Sequence, residues 1–226
     1  MSNFYSTSTW GTNLTIKADL SLPESEIEKI IKPYLYAYEI TFSNFIPSSE
    51  VNNINAGTIA IGQSSNLFQI LNNLAERLVK LTSGKFNHKF KGYYDFNSIA
   101  KGHIVDLLAD KIYEEYGNTL VNFGGDIAVR GDKTFKIAVE SPRLDNSSIC
   151  ILNLTDAGIA TSGDYYRPGH LNSFYDSTTV YGPSTAVCDA LSTALSLTRI
   201  EDVDYIPEGY RAIIYPDSNS NLYYSL

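Results

Sequence analysis

The chain has one tryptophan, one methionine, two cysteines and three histidines among its 226 residues. Two cysteines, Cys150 and Cys188, cannot form the disulfide framework of a small secreted domain. Cys188 lies inside an apolar helical pattern, where a thiol serves as a small hydrophobe. Apolar runs stay well short of the length that spans a bilayer, so no membrane partner is expected. The opening residues 1–9 have neither a charged leader segment nor an apolar core segment, and the expectation is a cytoplasmic protein. Positive charge is scarce: 17 Lys and Arg stand against 25 Asp and Glu, a net charge of −8. That balance argues against nucleic acid or an anionic membrane as the main partner. A phosphorylated ligand would have to be held by backbone amides, a metal or a few placed cations. Internal repeats, low-complexity linkers and the Gly-x-Gly-x-x-Gly dinucleotide fingerprint are all missing.

What is present is ordinary globular composition, 43% hydrophobic and 19% charged, with 17 tyrosines. Tyrosine in such number suits half-buried sheet faces and flat ligands. The length allows one large domain or two small ones; with no linker visible, residues 1–226 read as one domain. Alternation predicts a strand over residues 9–18. Pro23 opens a helix whose apolar stripe is Ile27, Ile30, Ile31, Tyr34, Leu35 and Tyr38. A loop over 45–62 precedes a second helix capped by Ser64 or Ser65, carrying Leu67, Ile70, Leu71, Leu74, Leu78 and Leu81, and stopped by Gly84. Residues 85–92 form a basic, aromatic turn. A third helix is predicted over 98–116, with strands at 119–129, 135–140, 149–154, 158–161, 177–181, 210–215 and 222–226. This mixture predicts an α+β fold of antiparallel or mixed sheets flanked by helices, not a regular βαβ winding.

Four segments carry chemistry. In the apolar helix over 184–198, Asp189 and Thr193 stand one turn apart on one face. Two hard oxygens facing the same way suit Mg²⁺, which takes one or two carboxylates plus other oxygens and then a phosphate. Residues 95–106 run from a strand end into a helix that Asn97 or Ser98 can cap, and Lys101 in its first turn either is solvated or marks a nearby anion. Val121-Asn122-Phe123-Gly124-Gly125-Asp126-Ile127 places two glycines inside an apolar strand, as a bulge or as a close backbone approach to a ligand. Thr161-Ser162-Gly163-Asp164 ends a strand with two hydroxyls and a carboxylate, either a polar turn or an orienting group for phosphate or metal.

Taken in order, these pieces resemble the ApbE family of FAD:protein FMN transferases. Trp10-Gly11-Thr12 is similar to that family's Met-Gly-Thr, and Phe42 to Glu50 with Asn55 to its Phe-Ser-x-Tyr-x-x-x-Ser-Glu…Asn loop. Ile99-Ala100-Lys101-Gly102 with Asp106, Asn122 to Asp126, Thr161 to Asp164, and Asp189 to Leu195 resemble its later motifs. The resemblance implies an ApbE-like fold related to the T-fold. It implies that FAD and Mg²⁺ bind, that FMN moves onto a Ser or Thr hydroxyl of an acceptor protein, and that AMP leaves. It implies Mg²⁺ ligation by the Ala100 carbonyl, the Asp189 carboxylate and the Thr193 hydroxyl. Gly124 and Gly125 would admit the flavin nucleotide, with Trp10, Ser49, Glu50, Lys101, Asp126, Thr161, Ser162 and Gly163 also on the cofactor side. His170 is the candidate for the base or for an orienting role, beside Asp189 as the other catalytic candidate. A hydrolase giving FMN and AMP, or a flavin-binding relative without catalysis, would carry the same residues. The chain departs from the family pattern after His170, where Asp-Pro-x-Thr-Gly is missing, before Asp95, where a stretch is shortened to Lys85 to Phe90, and at Trp10, which stands in place of Met.

Overall fold

The computed structural model describes residues 3–143, 147–163, 173–216 and 224–225. The strands are β1 (Phe4–Thr9), β2 (Thr12–Ala18), β3 (Lys89–Phe90), β4 (Tyr93–Tyr94), β5 (Thr119–Phe123), β6 (Asp126–Arg130), β7 (Phe135–Glu140), β8 (Ser148–Leu154), β9 (Ala157–Gly163), β10 (Ser177–Gly182), β11 (Arg211–Tyr215) and β12 (Tyr224–Ser225). The helices are α1 (Glu24–Phe42), α2 (Glu50–Asn55), α3 (Asn66–Leu81), α4 (Ala100–Tyr116) and α5 (Thr185–Ser196). Eight strands form one sheet in the order β1-β2-β5-β6-β9-β10-β11-β12, and every pairing in it is antiparallel. The fold is therefore α+β, with helices α4 and α5 on one face of the sheet and the β7–β8 ribbon on the other.

The two-residue period of the strands sorts side chains to these faces. On β6, Ala128 joins the helix-side core while Val129 joins the ribbon-side cluster with Ile137, Val139, Leu154, Ile159 and Ile213. Beneath α5 the sheet carries small residues: Ala128 pairs with Gly158, and Ala160 follows on β9. The helix answers with Ala186, Ala190 and Ala194, all buried. Small against small lets backbone approach backbone. A Cβ on Gly158 would lie 2.4 Å from the Thr185 nitrogen, and one on Gly102 would lie 2.6 Å from the Thr185 carbonyl oxygen.

Several boundaries differ from expectation. The stretch 9–18 is the second arm of a hairpin, turned at Trp10 (φ 50°) and Gly11 (φ 72°). The stretch 119–129 is also two strands: Gly124 and Gly125 are the turn of the β5–β6 hairpin, not a bulge inside one strand. Both glycines have positive φ, which suits a two-residue hairpin connection. The loop over 45–62 contains α2, capped by the Ser49 hydroxyl on the Asn52 amide. Of the two serines offered as cap for α3, Ser65 fills the role by accepting from the Phe68 amide. Ile70 and Leu81 of the expected stripe face outward, and Phe68 with Ala75 take buried places beside Leu71 and Leu78.

Candidate functional site

Two hairpin turns lie side by side at one end of the sheet. The register Leu14↔Phe123 aligns them, and the Gly124 amide donates to the Asn13 carbonyl at 3.0 Å. Gly124 has φ +60°, and a Cβ there would stand 2.8 Å from Thr12 Oγ1, so only glycine fits on both counts. Trp10 lays its ring against Phe123 at 5.2 Å between centroids. The pairing Ile127↔Ile159 brings the far end of β9, with Thr161, Ser162 and Gly163, out at this same end.

The start of α4 and the face of α5 complete the place. Neither Asn97 nor Ser98 caps α4; the N-cap is Ile99, with no side-chain bond, and the Asn97 amide turns back to Asp95 Oδ1 at 2.9 Å. The first-turn amide of Gly102 finds an acceptor on another helix instead, Asp189 Oδ2 at 3.4 Å. Lys101, beside it, reaches the Gly124 carbonyl oxygen at 3.3 Å and Asp126 Oδ2 at 3.2 Å. A cation in the first turn of a helix opposes the macrodipole, and here it is held by carboxylate and carbonyl oxygens.

Asp126 and Asp189 are buried, 2% and 8% exposed, and each carboxyl acts on the proton affinity of the other. Burial pushes the Asp189 carboxyl well above the usual carboxylate range, and the charge of Asp126 pushes it further. Burial also raises Asp126, with Lys101 pulling the other way. Asp126 Oδ2 has no hydrogen bond, the Lys101 ammonium lying against it as an ion pair. Two buried carboxyls and one ammonium leave a place short of positive charge. One turn along α5, the Thr193 hydroxyl donates to the Asp189 carbonyl at 3.2 Å and lies 3.3 Å from Ser162 Oγ, which also meets Ser192 Oγ at 2.7 Å.

The fold thus gathers Trp10, Lys101, Gly124, Gly125, Asp126, Ser162, Asp189 and Thr193, with Ala100 opening α4 next to Lys101. Thr161 shares the end of β9 but, by strand alternation, points to the opposite face from Ser162 and bonds Thr179 Oγ1 at 2.8 Å. Gly163 closes β9 opposite Ser177. Ser49 and Glu50 spend their oxygens on helix ends: Glu50 accepts from the Ser65 amide and, at 2.6 Å, from the Ser65 hydroxyl. His170 and Asp164 lie outside the described residues.

Among the described residues, no group of three or more His, Cys, Asp or Glu forms a metal cage. The donors on hand are two carboxyls, a hydroxyl and backbone carbonyls. That set fits Mg²⁺, which binds through one or two carboxylates plus the oxygens of its ligand, and the buried Asp126 Oδ2, with no hydrogen bond and only the Lys101 ammonium against it, gives the fit a structural basis.

Residues without an expected role also shape the place. Asp106 caps α5, Arg130 holds Asp106, and Gly102 and Gly158 let α5 approach. The signal for Asp106 was an acid among Ile104, Val105, Leu107 and Leu108, out of place unless partnered.

The ApbE family model matches residues 88–213. A curated FAD:protein FMN transferase of Vibrio cholerae serotype O1 is 33% identical over 126 residues, taking in 46% of this chain and 38% of that protein. One of Haemophilus influenzae is 31% identical over 127 residues, 46% of this chain and 37% of that protein. The matched stretch is thus well under half of either relative. Among solved structures, the flavin transferase ApbE from Vibrio cholerae superposes with a TM-score of 0.79 over 99% of this chain and 96% of that one, at 20% identity.

Proposed function

The chain belongs to the ApbE family, and from that premise we propose that it transfers FMN from FAD to a Ser or Thr hydroxyl of an acceptor protein, releasing AMP, with Mg²⁺. The observation that carries this reading is the meeting of Asp189, Asp126 and Lys101 beside the Gly124–Gly125 turn. In this reading the cation would be held by the Asp189 carboxylate, the Thr193 hydroxyl and the Ala100 carbonyl. When bound it supplies neutralisation of the FAD pyrophosphate and of the charge that grows on departing AMP.

This chain's own residues do the rest. Gly124 and Gly125, lacking side chains, admit the nucleotide against backbone, and their turn stays open on the side away from Thr12. Lys101 puts an ammonium at the end of the two turns, where a phosphate oxygen would meet it. Trp10, partly buried with its ring tilted against Phe123, would present its exposed part to a flat ligand. Ser162 orients the Thr193 hydroxyl. In the transfer the acceptor oxygen forms a bond to the FMN phosphorus, the bond from that phosphorus to the AMP oxygen breaks, and the hydroxyl proton passes to a base, a role we assign to His170.

Incubation with FAD, Mg²⁺ and Thr-containing acceptor proteins tests this. The expected result is AMP release matched by covalent flavin fluorescence on the acceptor. AMP with free FMN and no labelled protein would instead make the chain a hydrolase, and bound FAD with no AMP would make it a binding protein.

A further inference from the structure

We propose that Asp106 is a positioning residue, one that fixes the depth and rotation of α5 and so sets where Asp189 and Thr193 stand. The inference rests on the flavin-transfer reading of that face.

Asp106 belongs to α4, yet its carboxylate serves the first turn of α5. Oδ1 accepts from the Thr185 amide at 3.0 Å and from Arg130 Nη2 at 2.9 Å. Oδ2 accepts from the Ala186 amide at 3.0 Å and from the Ser184 hydroxyl at 2.8 Å. Four donors saturate the group, and the helix macrodipole adds to its hold. Ser184 already caps α5 locally through the Val187 amide at 3.5 Å. A second, cross-helix acceptor does something a local cap cannot: it ties α5 to α4. Asp189 makes the return tie, accepting from the first turn of α4 at Gly102. Each helix therefore presents a carboxylate to the other's amino-terminal amides.

The seat below is equally fixed. Thr185 is wedged between Gly102 and Gly158 and donates its hydroxyl to the Ile127 carbonyl at 3.1 Å. From that anchor, Asp189 lies one turn on and Thr193 two. Side-chain atoms sit about 5–6 Å from a helix axis, so a rotation of roughly 10° shifts them by about 1 Å. Mg²⁺ demands near-octahedral geometry at about 2.0–2.1 Å, a tolerance far smaller than that shift. Arg130, on the same face of β6 as Asp126, holds Asp106 from the sheet and also bonds Asp110 at 2.5 Å. The pose of α5 is thereby referred to the strand that carries Asp126.

The test uses the full chain, with Mn²⁺ binding followed by calorimetry and thermal unfolding recorded beside it. Asp106→Asn keeps the volume but turns one acceptor into a donor facing donors. We expect it to unfold cooperatively and, well below its Tm, to bind Mn²⁺ at least tenfold more weakly. Asp110→Ala, which removes the exposed partner of Arg130 and touches nothing on α5, should bind as the wild type does. A folded Asp106→Asn that binds Mn²⁺ within twofold of wild type overturns the proposal. Should Asp106→Asn not fold, Ser184→Ala removes one of the four donors together with the local cap on the Val187 amide, and Ser184→Gly, which deletes the same hydroxyl but keeps a good capping backbone, controls for the lost cap. Both should weaken Mn²⁺ severalfold, and unchanged affinity there overturns the proposal as well. A wild type that binds neither Mn²⁺ nor FAD overturns the transfer reading instead, and this proposal with it.

Discussion

Lys101 Nζ stands 3.2 Å from Asp126 Oδ2 and 3.3 Å from the Gly124 carbonyl oxygen, so one ammonium joins the α4 amino terminus to the β5–β6 turn. Only that cation faces two buried carboxyls, Asp126 and Asp189, among the described residues. The imbalance leads directly to a pH effect. Both carboxyls are raised, chiefly by burial, so the folded chain holds their protons more tightly than the unfolded one. Their contribution is present at acid pH and is lost as pH rises above the ordinary carboxylate range. Without metal, Tm should fall between about pH 5 and about pH 8 from this source, and the rise in Tm on adding Mg²⁺ should grow over the same window. Asp189→Asn should flatten the first trend and abolish the second. Scanning calorimetry at both pH values, with and without Mg²⁺, measures each.

Gly102→Ala sets two magnitudes against each other. Alanine gains about 1 kcal/mol of helix propensity over glycine. The new Cβ, however, would meet backbone atoms of Thr185 and Ala186 at 2.6–2.9 Å, and overpacking of that kind costs about 1–3 kcal/mol. The clash is with backbone, which cannot swing aside, so α5 must move. We expect net destabilisation in denaturant unfolding together with weakened Mn²⁺ binding; a stabilised variant with full affinity would contradict the packing.

Trp10 is the only tryptophan in the sequence and lies on the Gly124 side of the sheet end. Its emission should be quenched as FAD is titrated, saturating with the same midpoint as binding measured by calorimetry. Gly125→Ala, at φ +97° in open space, should disturb that titration less than Gly124→Ala, where a Cβ also strikes Thr12.

His88 is buried among Phe86, Tyr94 and Phe96, with Nε2 3.1 Å from Asn72 Oδ1 and Nδ1 unpartnered. Burial lowers its pKa to about 4. The neutral ring is favoured in the fold, so stability is fully present above the unfolded value near 6.5 and is lost as pH falls toward 4. The loss amounts to roughly 3 kcal/mol at most. His88→Phe should keep the aromatic packing and remove that component of acid unfolding, seen as a lower midpoint in an acid titration by circular dichroism.

Much of this was legible from local pattern. A serine cap at Ser64 or Ser65, a helix over 98–116 and the helical face with Asp189 and Thr193 follow from local pattern, and all three stand in the fold, Ser65 being the serine that caps. The hairpin turns were misread because two glycines within an apolar run look alike as a bulge or as a turn; only pairing partners distinguish them. The α2 helix escaped because six residues carry too little periodicity to separate helix from loop. Asp106 was legible only as part of a motif, without a role, and Arg130 not at all, for a different reason. Their partners lie across the chain, and no spacing within one segment predicts a carboxylate on another helix's amides.

On β6, Asp126, Ala128 and Arg130 all look toward α4 and α5, whereas Ile127 and Val129 look toward the β7–β8 ribbon. The phase of that strand is established by the length of a two-residue connection. One extra residue there, propagated into the strand, would send an acid and a guanidinium into the ribbon's greasy underside and put isoleucine and valine into the proposed site. The turn is thus the reading frame of the whole constellation, and natural variation in chain length should spare it.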